Sequence, residues 1–289
     1  MSALLLDGMS LLYRAFHALP PMSTRDGTPT GALYGFCTLF LKLVREEGSV
    51  EIAIALDTPE PTFRHVAYES YKAGRPAAPD PLRSQLAAFA ELQDALGVPV
   101  HRAPGFEADD VLASLARRYR ERAQQALIVT GDTDLLQVAR GPIHVLFVGR
   151  RQKDHLRYDE AAVTERYGVP PVRLPTIKAL VGDPSDHLPG ILGIGARGAT
   201  ALVAAHGDAR GILAAADTLA PRVRAALAGH ADALLRWEDL ATVRDDLPVD
   251  EPWATPITPQ AWTRVRALFD RWEFKSLVGR IPDQQVPLL

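Results

Sequence analysis

The sequence predicts an α/β fold, a mostly parallel central sheet flanked by helices, and three observations predict it. Short apolar runs without polar alternation recur through the first half, as strands covered on both faces require. Helical patterns alternate with them, which is the rhythm of crossover connections. Three of the runs end in acid: residues 3–6 before Asp7, 52–56 before Asp57, and 126–130 before Gly131 and Asp132.

Those three runs are read as strands, and the β-branched run 143–148 as a fourth. Helices are expected over 32–47, 82–96 and 107–122, the last with Val111, Leu112, Leu115, Ala116 and Tyr119 at helical spacing. The proline-rich segment 58–81 is too long for a tight connection, and loops of that length are usually functional or disordered. After about residue 180 the texture changes to a glycine-rich stretch, LPGILGIGARGATALV, then Ala- and Leu-rich helical segments and a Pro-rich tail. The expected division is an α/β core over 1–180, containing a loop at about 60–82, and a smaller helical region over 181–289.

Composition bounds the function. Of 289 residues, 47% are hydrophobic and 23% charged, so disordered and fibrous classes are excluded. A net charge of −3 supplies no global field toward nucleic acid or anionic membranes, so any basic surface must be local. No run approaches the ~20 apolar residues of a membrane span. The opening MSALLLDG lacks the features of a signal peptide, and the expectation is a cytoplasmic protein without membrane contact. The single cysteine, Cys37, excludes an internal disulfide and a cysteine-rich metal site. Only five of the 32 cationic residues are Lys, which makes each lysine worth notice.

The carboxylates carry the functional argument. In open α/β sheets the ligand site lies beyond the carboxyl ends of the strands, and Asp7, Asp57, Asp132 and Asp134 all fall there. The helix opening FEADDVLASLA adds Glu107, Asp109 and Asp110 in its first turn, and the turn-like VGDPSDHLPG adds Asp183 and Asp186. First-turn acids also complement a helix dipole, and Asp is common in turns. Nine carboxylates on one rim, however, repel one another unless cations neutralise them. Oxygen donors without His or Cys select hard cations, Mg²⁺ or Mn²⁺. More acids than one ion uses points to two ions and phosphodiester hydrolysis, with phosphatase chemistry open on the acids alone.

The cations for a phosphate polymer lie in the long loop: Arg64, then Lys72 and Arg75 in SYKAGRP, which share a face if 71–75 is helical. Tyr71 offers a ring for base stacking. A solvated basic loop accounts for the composition equally well. Gly190, Gly193 and Gly195, with Arg197, precede a helix, where backbone N–H groups can meet phosphate, although a tight interhelical turn needs the same glycines. The basic run RRQKDHLR, 150–157, is read as a hairpin tip.

The motifs LLLDGMSLLYRAFHAL, FRHVAYESYKAGRP, FEADDVLASLA, TGDTDLLQ and GDPSDHLPGILGIG, in this order, resemble the flap endonuclease superfamily of 5′-nucleases. The likeness is strongest to the 5′-3′ exonuclease domain of bacterial DNA polymerase I. It covers essentially the whole chain. It implies a PIN-like nuclease fold with a helical arch and a helix-hairpin-helix element, acting as a 5′-3′ exonuclease and 5′-flap endonuclease in replication and repair. By the resemblance, the nine acids named above match the metal-site acids, Lys72 and Arg75 act on the scissile phosphate, and the region around Gly190 to Thr200 holds the duplex backbone, often with K⁺. Implied partners are DNA with a 5′ single-stranded arm or a duplex 5′ end, RNA primer–DNA hybrids and a DNA polymerase, with the protein a monomer. Two departures stand out: His187, where relatives usually have Asn, and Arg197-Gly198, where they usually have Lys-Thr. The rival readings are a PIN-like ribonuclease and a non-catalytic DNA-junction-binding protein.

Overall fold

The apolar runs become strands whose order in space differs from their order in the chain. β1 (Ser2–Asp7), β2 (Val50–Ala55), β3 (Val100–His101), β4 (Ala126–Thr130), β5 (Ile143–Phe147) and β6 (Leu156–Tyr158) form one sheet ordered β3-β2-β1-β4-β5-β6. Every neighbouring pair is parallel except β5 and β6. The computed structural model describes residues 2–48, 50–149 and 155–282. Of the basic run, 150–154 lie outside the described residues, as does the tail 283–289. Among the described residues no helix is long and apolar enough to cross a membrane.

The strands are buried on both faces, which explains their unbroken hydrophobicity. Leu4, Leu6, Ile52, Ile54, Leu127 and Val129 point to one side, where α1 (Gly8–Ala18), α2 (Gly31–Glu47), α5 (Leu86–Leu96) and α13 (Pro259–Arg271) cover them. Phe36 meets Phe89 edge-on there, with ring centroids 4.9 Å apart. Ala3, Leu5, Ala53, Ala55, Ile128 and Val145 point to the other side, under α6 (Ala108–Glu121) and a helical layer made of α8 (Leu174–Val181), α9 (Ala196–His206), α10 (Ala209–Ala214) and α12 (Ala231–Ala241). Three smaller helices, α7 (Glu160–Tyr167), α11 (Pro221–Leu227) and α14 (Lys275–Val278), complete these two layers. The helices after residue 180 therefore divide between the two faces.

The long loop begins with α3 (Phe63–Ala67) and ends with α4 (Asp80–Arg83). Residues 71–75, whose cations would share a face only in a helix, form successive turns, because Lys72 (φ 51°) and Gly74 (φ 71°) sit in the left-handed region. The helix expected from 82 starts at Leu86 because Gln85 turns inward, its Oε1 accepting the N–H groups of Ala32 (3.0 Å) and Leu33 (3.2 Å) at the start of α2. That bond anchors the far end of the loop.

A strap, residues 242–258, runs from α12 along α6 to the edge of β2. Its buried partners are Gln137, which accepts the Val243 N–H at 3.0 Å, and Ser114, which accepts the Leu247 N–H at 3.1 Å. Thr255 and Ile52 then exchange backbone hydrogen bonds of 2.8 and 3.1 Å, closing an edge that two-residue β3 leaves uncovered. The sheet order reverses between β1 and β4, so the crevice beyond their carboxyl ends is the topological switch point.

Candidate metal centre

Asp7 is the last residue of β1 and the N-cap of α1. One carboxylate oxygen accepts the Ser10 N–H at 3.1 Å and the other accepts the Thr130 hydroxyl at 2.7 Å. The same Thr130 oxygen accepts the Asp132 N–H at 3.0 Å, and Asp132 Oδ1 accepts the Asp134 N–H at 3.0 Å. One hydroxyl thus ties the acids of two adjacent strands into a single array. Asp109, from α6, turns into it. Burial, with the charges of Asp132, Asp7 and Asp134, holds its carboxyl well above the ordinary range. Burial also pushes Asp7 up to about 7, reinforced by Asp57 and Asp132. Asp134 rises to about 7 from burial and the charge of Asp132, against the pull of Lys178.

A second group of acids arrives on the turn after α8. Gly182 (φ 89°) and Gly190 (φ 71°) close that turn so tightly that a Cβ on Gly190 would lie 2.4 Å from the Gly182 nitrogen. Asp183 and Leu188 exchange two 2.9 Å backbone bonds inside it. Carboxylate oxygens of Asp134, Asp183 and Asp186 consequently lie within 4.8 Å of one another. Lys178, on the last turn of α8, places its ammonium between Asp134 and Asp183, 2.5 Å from the latter. Burial works against this ammonium, but the two carboxylates outweigh burial and hold its pKa above the usual value. In return Lys178 draws Asp183, against its burial, down to about 2. The cluster has already recruited a cation from the protein, and its donors are all carboxylate oxygens, so hard divalent ions fit it.

The loop folds over the third side. Lys72 Nζ lies 2.7 Å from Glu107 and 3.8 Å from Asp186, while Arg75 reaches the Ser185 carbonyl at 3.0 Å and Asp186 at 3.3 Å. His187, in the left-handed region at φ 57°, sets Nδ1 3.1 Å from the Ser70 carbonyl oxygen. Asp57 accepts the Ala108 N–H at 2.8 Å and borders a cavity of about 380 Å³ with Thr58, His65, Lys72 and Arg75. Glu107 is the N-cap of α6.

Three expected roles are corrected by burial. Asp110 does not face the rim: its side chain is 0% exposed, and both oxygens are taken by Arg64 at 2.7 and 2.8 Å and by the N–H groups of Glu107 and Arg244. Arg64, expected at DNA, is equally withdrawn, its other N–H groups donating to the Leu240 and Thr242 carbonyls. Tyr71, expected to stack on a base, is 2% exposed, edge-on to His65, with its hydroxyl donating to Glu107 at 3.1 Å. Gly193 and Gly195 lie exposed on the hairpin between α8 and α9, with Gly195 the N-cap of α9, Arg197 exposed in that helix's first turn and Gly190 held in the turn. Leu192, at the hairpin tip, is 93% exposed. The residues missed by sequence reasoning are Lys178 and Thr130; the scarcity of lysine was the one available signal for the former.

Two family models cover the chain in tandem: the 5′-3′ exonuclease N-terminal resolvase-like domain over residues 2–168, and the 5′-3′ exonuclease C-terminal SAM fold over 169–263. The chain belongs to the 5′-3′ exonuclease family. It is 41% identical over 276 residues to the thermostable DNA polymerase I of Thermus aquaticus, covering 95% of this chain and 32% of that protein. It is 38% identical over 282 residues to DNA polymerase I of Mycobacterium leprae, covering 96% of this chain and 31% of that one. The chain thus spans about a third of the length of these relatives. In fold, this 5′-3′ exonuclease family member matches the bacteriophage T5 5′-exonuclease with bound zinc, at a TM-score of 0.64, 17% identity, and 98% and 100% of the two chains. It also matches the catalytic core of Rad2 in complex with DNA substrate, at 0.64 and 16%, over 96% and 90%.

Proposed function

We propose that this chain is a structure-specific 5′-nuclease that hydrolyses DNA phosphodiesters near the junction of a duplex with a single-stranded 5′ arm, and at duplex 5′ ends, leaving 5′-phosphates. The observation that carries this reading is the convergence of Asp134, Asp183 and Asp186 opposite Lys72 and Arg75, with cations of the loop on one side of the rim and acids on the other. Two divalent ions, Mg²⁺ or Mn²⁺, fit the donors: Asp134, Asp183 and Asp186 would hold one, and Asp7, Asp109 and Asp132 the other. Bound there, they supply Lewis acidity toward the phosphate and lower the pKa of water. Lys72 and Arg75, released from Glu107 and Asp186, orient the scissile phosphate and offset its developing charge. The exposed N–H groups of the hairpin and Arg197 hold the duplex backbone without reading sequence, with K⁺ as the hairpin's ion. The unit so proposed has a nuclease core over 1–180 and a duplex-gripping helical region over 181–289, works as a monomer, and acts beside a DNA polymerase.

Cleavage of a 5′-labelled flap duplex in Mg²⁺, Mn²⁺ and excess chelator tests the reading, with Asp134→Ala beside the wild type. The expected result is metal-dependent cutting at the junction that the variant lacks. Binding of the flap with no cutting in either metal would overturn it in favour of a junction-binding protein, and preferential cutting of linear single-stranded RNA would point to a ribonuclease. An RNA-primed 5′ arm in the same assay reads whether primers are substrates.

A further inference from the structure

Helix α6 starts at the acid rim and ends elsewhere. Its 14 residues rise about 1.5 Å each, so its last turn lies about 20 Å from Glu107. There Arg117 and Arg120 meet Arg140, which comes from the turn before β5, around one carboxylate on the strap. Asp245 lies 3.3 Å from Arg117, 3.5 Å from Arg120 and 3.5 Å from Arg140. Arg117 has a second partner in Glu121 at 2.8 Å, and Glu160 attracts Arg140 weakly from α7. Arg120 and Arg140 have no other ion pair among the described residues.

Arginines near a helix C-terminus complement its dipole, which accounts for Arg117 and Arg120 as cations. It does not account for Arg140, which belongs to another element. Nor does it account for two buried donors: Arg120 Nη1 and Arg140 Nε are shielded from solvent and have no hydrogen-bond acceptor. A buried N–H without an acceptor is costly, and here two such groups from different elements share one locality. Against the three guanidinium groups stand Asp245 and, on Arg117, Glu121, which leaves one positive charge in excess. The guanidinium of Arg140 is held below its ordinary pKa by burial and by the charge of Arg120, which marks a place where an anion is welcome. The side chains of Arg117, Arg120 and Arg140 remain 23 to 38% exposed, so a small ion can reach them.

We propose that Arg117, Arg120 and Arg140 form a phosphate-binding site at the end of α6 remote from the acid rim. Guanidinium forks match tetrahedral oxyanions: a phosphate would bond the exposed N–H groups of the three side chains, and a small rotation of Arg120 and Arg140 toward it would bring their two unpartnered donors within its reach. The site is separate from the proposed chemistry, so its occupancy is measurable without turnover.

The test is thermal unfolding of the full chain in excess chelator, in inorganic phosphate and in chloride of equal ionic strength. At phosphate ten times its Kd, Tm should rise by about 2–4 °C above the chloride control. The rise should vanish in Arg120→Gln/Arg140→Gln and persist in Lys72→Ala/Arg75→Ala, which removes the cations beside the acid rim. No rise over chloride, or an equal rise in the Arg120/Arg140 double variant, would overturn the proposal. Since the double variant can itself perturb folding, wild-type crystals soaked in tungstate give an independent readout. An anomalous peak within hydrogen-bonding distance of Arg120 and Arg140 supports the site, and its absence there counts against it. Duplex affinity of the double variant identifies the source of the phosphate: a loss of threefold or more assigns it to the DNA backbone, and unchanged affinity to free phosphate.

Discussion

Asp109 and Asp110 are neighbours in one helical turn, yet the fold gives them opposite surroundings. Asp110 meets a guanidinium and two backbone N–H groups, so each of its oxygens accepts from donors the fold itself supplies. Asp109 meets Asp7, Asp132 and Asp134, and burial leaves its carboxyl reluctant to ionise. The rim is thus an array of acids short of cations, while the Arg64–Asp110 pair is complete. A carboxylate whose charge is already matched holds the fold together. One whose charge is unmatched is available to an ion from outside.

Substitution separates the two kinds of acid most sharply. Asp109→Asn and Asp134→Ala should each lower single-turnover flap cleavage by a factor of about 10³ or more, since metal ions supply several kcal/mol to such reactions and 1.36 kcal/mol is tenfold in rate. Asp109→Asn should at the same time raise the melting temperature of the chelated protein, because it removes a buried repulsion. A chelated Asp109→Asn protein that melts below the wild type would break the comparison. Asp110→Asn should do the reverse of stabilising, costing about 3 kcal/mol as buried Arg64 loses the carboxylate that binds both its Nη groups and keeps only Glu107 at 3.4 Å. Chemical denaturation with a fall of less than about 1 kcal/mol would place Asp110 with the rim.

pH gives the next contrast. Asp7 and Asp134 have folded pKa values raised from 3.8 to about 7, so between those limits the folded state binds more protons than the unfolded one. Stability of the chelated protein therefore falls as pH rises from about 4 through about 7. Asp183, drawn down to about 2, has the opposite sign, but its window lies below the other two. Added Mn²⁺ should flatten the slope by neutralising the rim. Differential scanning calorimetry across this range checks both statements, and a chelated protein whose Tm climbs toward pH 8 contradicts them. On the loop, Lys72→Ala should slow single-turnover cutting by about 10–100-fold while altering flap affinity less. An unchanged rate would make that lysine a neutralising cation alone. The smallest effect belongs to His187→Asn, since Asn also tolerates the left-handed conformation; stability should stay within about 0.5 kcal/mol.

The strands were legible because buried parallel strands have no polar alternation to confuse, and the acid at each end marked the direction of the crevice. Two-residue β3 and three-residue β6 carry too few side chains for a pattern. The turn at 71–75 was not legible because an i, i+3 pair of cations suits a helix as well as a turn, while the left-handed φ of Lys72 leaves no trace in composition. Choice of partner was the least legible feature. Nothing local says that Arg64 will reach a carboxylate 46 residues away rather than a phosphate, or that Lys178 will lean into Asp134 rather than into solvent. Those choices depend on which surfaces the sheet order brings together.

The return of α13 to the first face has a practical corollary for anyone dividing the molecule. Phe269, Trp272, Phe274 and Leu277, all beyond the second family match, lie in the same apolar cluster as Phe40 and Leu92 from the opening hundred residues. A fragment ended at 263 would strip that cluster of four large side chains and lay bare a sticky patch on α2 and α5. The last helices act as a clasp for the first ones, and the end of the second match is no place to cut.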